Sequence, residues 1–162
     1  MDFKALIDHL SFDLGSPLVL DESGRCKMNY QNRLDFFLGE HEDNSVFYVY
    51  SIVCPIPKVK KKGFYKMLLE KHMLAYGTGG ATFGVATLID SIILFRNFET
   101  GVFDYYDILV SLEQFVRALD FWTQRLPEVL EKLLVDEVAE QVESEPEGHS
   151  LDDDWRYQNL KV

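Results

Sequence analysis

Phe3, Leu6, Ile7, Leu10 and Leu14 recur at helical spacing, with Gly15 as a natural stop. This pattern predicts an amphipathic first helix. Pro17 opens an extended run, "LVL", and "DESGR" reads as a turn. Cys26, Met28 and Tyr30 then alternate with Arg25, Lys27, Asn29 and Gln31, the pattern of a half-buried strand. "LDFFL" and "VFYVYSIV" predict two more strands, joined by the polar turn "GEHEDN". Pro55 and Pro57 end this meander, and Lys58, Lys60, Lys61 and Lys62 form a basic loop.

The next periodic stretch predicts a helix over 63–76. Phe64, Met67, Leu68, Leu74 and Ala75 make one apolar stripe, and Tyr65, Leu69, Met73 and Tyr76 make a second. A helix lying on one sheet needs only one stripe. The second points either to another copy of the same helix or to a centrally buried position. After a cluster of glycines, "ATFGVATL" and "SIILFRNF" predict two strands joined at "IDS". Ile108, Leu112, Phe115, Leu119, Trp122 and Leu126 then define a broad helical face. Pro127 is expected to kink or restart that helix, and Leu130, Leu134, Val138 and Val142 continue the stripe. The order α-β-β-β-α-β-β-α predicts an α+β fold, a twisted antiparallel sheet flanked by helices.

Two strands carry more apolar surface than one core face requires. In "VFYVYSIV", Phe47, Val49 and Val53 fall on one side and Val46, Tyr48, Tyr50 and Ile52 on the other. "SIILFRNF" is similar. Such strands are either covered on both sides or offer one side to a partner.

Charge sharpens the picture. The 162 residues carry a net charge of -11, which disfavours nucleic acid as the main partner. Within 136–162, nine acids face only Arg156 and Lys161. This predicts a folded domain over 1–135 and an acidic, disordered tail over 136–162. Trp155, Tyr157 and Leu160 leave a short docking motif in that tail open beside a purely solubilising role. No run approaches the ~18 apolar residues of a membrane span, and the N-terminus lacks a signal-peptide pattern. Neither membrane insertion nor secretion is therefore expected. Cys26 and Cys54 match no metal spacing and read as small core residues in a reducing compartment.

Candidate chemistry is sparse. In "AYGTGGATFGVATLIDSIILF", Gly77 and Gly79 fit the first two positions of a dinucleotide fingerprint, but Thr82 stands at the third. Gly79 and Gly84 have P-loop separation, yet Val85 and Ala86 replace the required Lys and Ser/Thr. A helix precedes these glycines, the reverse of a phosphate-binding loop. A small nucleotide-binding enzyme is the lesser alternative. His9, His41, His72 and His149 lack metal-ligand spacing, and no H-E-x-x-H, C-x-x-C or G-x-S-x-G occurs. A Cys54–His72 pair has no third orienting residue. The turn cluster Glu40, His41, Glu42 and Asp43 reads as solvated surface. No catalytic residue, metal or cofactor is expected, and the remaining reading is protein binding.

Tyr65, Leu68, Leu69, Glu70, Met73 and Leu74, followed by Gly79, Gly80, Gly84-Val85-Ala86-Thr87, Leu94 and Trp122, resemble class I chaperones of bacterial type III secretion. The likeness is greatest to those of chlamydiae and spans about residues 45–125. It implies a non-enzymatic homodimer of the bacterial cytoplasm, built largely from the second helix and the following strand. Its interface would include Tyr65, Leu69, Met73, Tyr76, Gly79 and Gly80. The resemblance further implies that secreted effector proteins bind by their N-terminal segments, stay secretion-competent and pass to the secretion ATPase. Leu6, Ile7, Leu10, Tyr48, Tyr50 and Ile52 are the expected cargo-binding residues. A regulatory protein-binding module on the same fold is the alternative. The tail beyond about 135 departs from shorter family members.

Overall fold

The computed structural model describes residues 1–58, 60–75 and 77–143, the last eleven of these as helical backbone. The expected order is observed. Helix α1 (Phe3–Leu14) leads into strands β1 (Cys26–Tyr30), β2 (Leu34–Glu40) and β3 (Val46–Pro55). Helix α2 (Lys61–His72), β4 (Thr82–Ala86), β5 (Ser91–Glu99) and α3 (Tyr105–Glu143) follow. All pairings are antiparallel, and the sheet order is β1-β2-β3-β5-β4.

Local chemistry explains the helix ends. The Asp2 carboxylate accepts the Ala5 N–H at 2.7 Å, satisfying one of the free donors at the start of α1. Gly15, at φ 63°, closes the other end, with the Gly15 and Ser16 amides returning to the Phe12 and Ser11 carbonyls. Phe3, Leu6, Ile7 and Leu10 face inward from α1. They meet Leu34, Phe36 and Leu38 of β2, Phe47 and Val49 of β3, and Ile92, Leu94 and Phe98 of β5 in one core. From α3, Ile108, Leu112, Phe115, Leu119, Trp122 and Leu126 complete it, as the spacing predicts. The stacked pair Phe47–Phe98, with centroids 5.2 Å apart, lies at its centre.

Two expectations change. Helix α2 stops at His72 rather than 76, because Leu74 and Ala75 take left-handed backbone at φ 55° and 56°. Phe64 and Leu68 of the first stripe are buried, but Leu74 is 78% exposed. Tyr76 lies outside the described residues. Helix α3 continues through Pro127 to Glu143. Leu126 and Leu130 pack against the core on either side of the proline, so packing carries the helix past the missing N–H. The helix thus enters the segment expected as a tail, and residues 144–162 lie outside the described residues. The side chains of Leu134, Val138 and Val142 also do. No helix among the described residues is long and apolar enough to cross a membrane.

Candidate functional site

Helices α1 and α3 pack their buried side chains on one side of the sheet, and among the described residues no helix covers the other side. Strand alternation decides what appears there. On β3, Phe47, Val49 and Ser51 are buried beneath the helices, while Tyr48, Tyr50 and Ile52 point away. On β5, Ile92, Leu94 and Phe98 face the core, and Ile93, Phe95 and Asn97 share the outer face with the β3 residues. The register places Tyr48 opposite Asn97, Tyr50 opposite Phe95, and Ile52 opposite Ile93. Phe37 of β2 stacks on Tyr50 at 5.1 Å, extending the aromatic floor sideways.

Two glycines shape this floor. A Cβ on Gly39 would stand 2.6 Å from the Tyr48 hydroxyl, so the Tyr48 ring lies across β2 where a side chain is missing. On the opposite flank, a Cβ on Gly84 would meet Ile93 Cγ1 at 3.1 Å and Phe95 Cε1 at 3.2 Å. The side chains of β3 and β5 therefore lean in opposite directions, toward β2 and toward β4. Between them runs an open groove of about 900 Å³, lined by Tyr48, Tyr50, Ile93, Phe95 and Asn97. Its hairpin end is formed by Glu40, His41, Glu42 and Asp43, with the His41 ring edge-on to Tyr48 at 5.3 Å. Hydrogen bonds from the Ser45 hydroxyl and amide hold the Asp43 carboxyl below its usual range. Arg25 also lines the groove, but it is engaged with Asp21 at 3.1 Å and with the Tyr50 hydroxyl at 3.3 Å. Burial pushes the Tyr48 phenol up from its ordinary value.

Tyr48, Tyr50 and Ile52 are thus brought together on one surface, and Ile52 is 48% exposed. Leu6, Ile7 and Leu10 are not part of it. They are buried in the core, so the apolar stripe of α1 serves folding, and only Leu10 reaches a small cleft between β1, β2 and α3. Sequence reading missed Gly39 and Arg25. A glycine in an otherwise apolar strand is the available signal for a neighbour's ring lying across it.

The expected interface residues divide similarly. Leu69 and Met73 are 70% and 69% exposed at the end of α2, next to exposed Leu74. Val85, Leu88 and Ile89 form a second exposed apolar run at the β4–β5 connection. Tyr65 is half-buried against the core. Gly79 and Gly80 are crowded by their own chain. A Cβ on Gly79, at φ 59°, would stand 2.9 Å from the Gln114 carbonyl oxygen of α3. One on Gly80, at φ 83°, would stand 2.9 Å from the Arg96 guanidinium. The close backbone approach expected of these glycines between two copies is here an approach within one chain.

The glycine loop is also hydrogen-bonded inward. The amides of Thr78, Gly80 and Ala81 donate to loop carbonyls, the Trp122 indole N–H donates to the Gly77 carbonyl at 2.7 Å, and Arg96 donates to the Gly79 carbonyl at 3.2 Å. A phosphate cradle needs outward amides. Three of this loop's amides are committed elsewhere. Burial pushes the Cys54 thiol up to about 11, opposite to what a nucleophile paired with His72 would need. Both cysteines are free, and no group of three potential ligands among the described residues could hold a metal.

Comparison with known proteins gives the fold a lineage. The profile of the Tir chaperone protein (CesT) family matches residues 5–123. No curated protein matches in sequence. Among solved structures, the HopA1–SchA chaperone–effector complex contains a chain superposing with TM-score 0.62 at 16% identity, covering 75% of this chain and 93% of that one. A chain of the ExsC–ExsE complex gives 0.61 at 18% identity, with 76% and 96% covered. One from the heterodimeric ExoU–SpcU complex of the Pseudomonas aeruginosa type III secretion system gives 0.59 at 11% identity, with 73% and 95% covered.

Proposed function

This chain belongs to the Tir chaperone protein (CesT) family, and from that premise we propose that it is a type III secretion chaperone for effector proteins. It holds the N-terminal segment of an effector extended, keeps it competent for export and delivers it to the secretion ATPase. The work is binding in the bacterial cytoplasm, with no chemical step and no cofactor. The observation that carries this reading is the open aromatic groove over β3 and β5, on a sheet whose other face carries the core beneath α1 and α3. Cargo side chains bury against Tyr48, Tyr50, Ile52, Ile93 and Phe95. Cargo backbone has a second mode at the β1 edge, where, among the described residues, a single bridge from Leu20 to Cys26 lies outside the strands.

The acting species in this proposal is a homodimer. Exposed Leu69, Met73 and Leu74, with Val85, Leu88 and Ile89, supply apolar surface for a second copy. Gly79 and Gly80 support that surface from within by seating the loop on Gln114 of α3 and Arg96 of β5.

The reading is tested by pull-down with N-terminal effector fragments. Wild-type protein should retain a fragment, and Tyr48→Ser with Ile52→Ser should release it while melting unchanged. Co-purification from the native cell of a transcription or secretion regulator, and no effector, would replace cargo carriage with a regulatory role.

A further inference from the structure

We propose that the groove selects an extended peptide of pattern basic-x-Φ-x-Φ-x-Φ, where Φ is a large apolar residue, with the basic residue against Glu42 and Asp43. This deepens the chaperone reading and rests on it for the source of the peptide.

The spacing follows from register. Tyr48/Asn97, Tyr50/Phe95 and Ile52/Ile93 form three successive cross-strand rows on the outer face. Rows two residues apart in a strand are separated by about 6.6 Å, which is also the spacing of alternate side chains in an extended peptide. A peptide running along the β3–β5 seam therefore sets every second side chain over one row. The intervening side chains point to solvent. Because Tyr48 leans over Gly39, while Ile93 and Phe95 lean over Gly84, the seam is open to receive those side chains. The β3 and β5 backbones already pair with each other, so affinity comes from side-chain burial rather than strand addition at this place.

Polarity follows from charge. The Tyr48 end of the groove is closed by the hairpin that carries Glu42 and Asp43. The groove's lining cation, Arg25, is held by Asp21. A Lys or Arg one step beyond the first apolar residue meets those two carboxylates, and an acidic residue there is repelled. The signature thus has a direction, with its charged end at the β2–β3 hairpin.

The test uses full-length protein and acetylated, fluorophore-labelled octapeptides, KSLSFSLS against ESLSFSLS and the spacing scramble KSSLFLSS. Affinities are read by fluorescence anisotropy. KSLSFSLS should bind about threefold to tenfold more tightly than ESLSFSLS, the range for a partly exposed charge pair set against a repulsive one. Glu42→Lys with Asp43→Asn should reverse that order, and both positions are exposed, so folding is preserved. Phe95→Ser should weaken all binding, with folding checked by thermal melting. Equal affinity for the Lys and Glu peptides, or for the scramble, overturns the pattern even where effector fragments are still captured. Patterned peptide binding without capture of any effector leaves the groove chemistry standing and removes the chaperone reading. A change of sedimentation on Phe95→Ser makes a second copy the occupant and overturns the proposal.

Discussion

Leu94 and Ile93 are neighbours on β5, yet they belong to different problems. Leu94 is fully buried among Val49, Phe98 and the α3 side chains, whereas Ile93 lies on the open side beside Gly84. The same contrast divides β3 into Phe47 and Val49 below, and Tyr48 and Tyr50 above. One sheet face is occupied by α1 and α3 and is a core. The other also carries large side chains and, among the described residues, has no helix over it. Hydrophobicity alone does not distinguish them; cover does. The open face keeps its rings usable by giving each a polar handle or a glycine to lean on. Tyr50 receives Arg25, Tyr48 lies on Gly39, and Phe95 lies beside Gly84.

The largest effect that separates the faces is on stability. Leu94→Ala should cost about 2–5 kcal/mol, through lost transfer energy and the cavity left in a packed core. Ile93→Ala should cost less than about 1 kcal/mol, because its surroundings are already half open. Urea titrations of the two variants measure this. Equal losses would mean that the outer face is covered in solution.

Loss of cargo without loss of fold comes next. Tyr48→Ser with Ile52→Ser should abolish effector-fragment retention, and raising the salt should weaken wild-type binding only modestly. Screening acts on the one charged end of the groove and not on buried apolar area. Pull-downs at low and high salt, paired with thermal melts, report both. Deleting residues 144–162 should leave retention intact, and its loss would move the site to the tail.

A comparable effect is expected in the loop that seats α2. Gly79→Ala should destabilise by about 1–2 kcal/mol from left-handed backbone alone, with further loss from the Gln114 carbonyl. Leu69→Glu with Met73→Glu should instead yield folded monomers, since both side chains are exposed. Sedimentation velocity and denaturation distinguish the two outcomes, and a wild-type monomer at micromolar concentration would refute the dimer.

The smallest effect concerns Cys54. With its thiol held up at about 11 by burial, the thiolate fraction at pH 8 is about 100-fold below that of a thiol ionising at the ordinary 9. Alkylation at pH 8 should be correspondingly slow, with Cys54→Ala as the control. The sign for stability is a loss as pH rises from about 9 toward 11, because the unfolded thiol ionises first.

Element identity and order were legible because each rests on local pattern. Period 3.6 at Phe3–Leu14, period 2 at Cys26–Tyr30, and Gly15 as a left-handed stop depend only on neighbours in the chain. The two-sided character of β3 and β5 was legible for the same reason, as was the family likeness over residues 45–125. Tertiary structure decided which apolar stripe would be covered. Leu6, Ile7 and Leu10, which the resemblance implied for cargo, are core, because α1 lies on the sheet with that stripe inward. Helix α2 ends at His72 although its periodicity runs on. The chain turns there to place Gly77 and Gly79 against Trp122 and Gln114 of α3, contacts made with residues some 35–45 positions away. Pro127 breaks no helix because Leu126 and Leu130 are packed on both sides of it. Periodicity records which residues want burial, and only the long-range packing assigns each its partner.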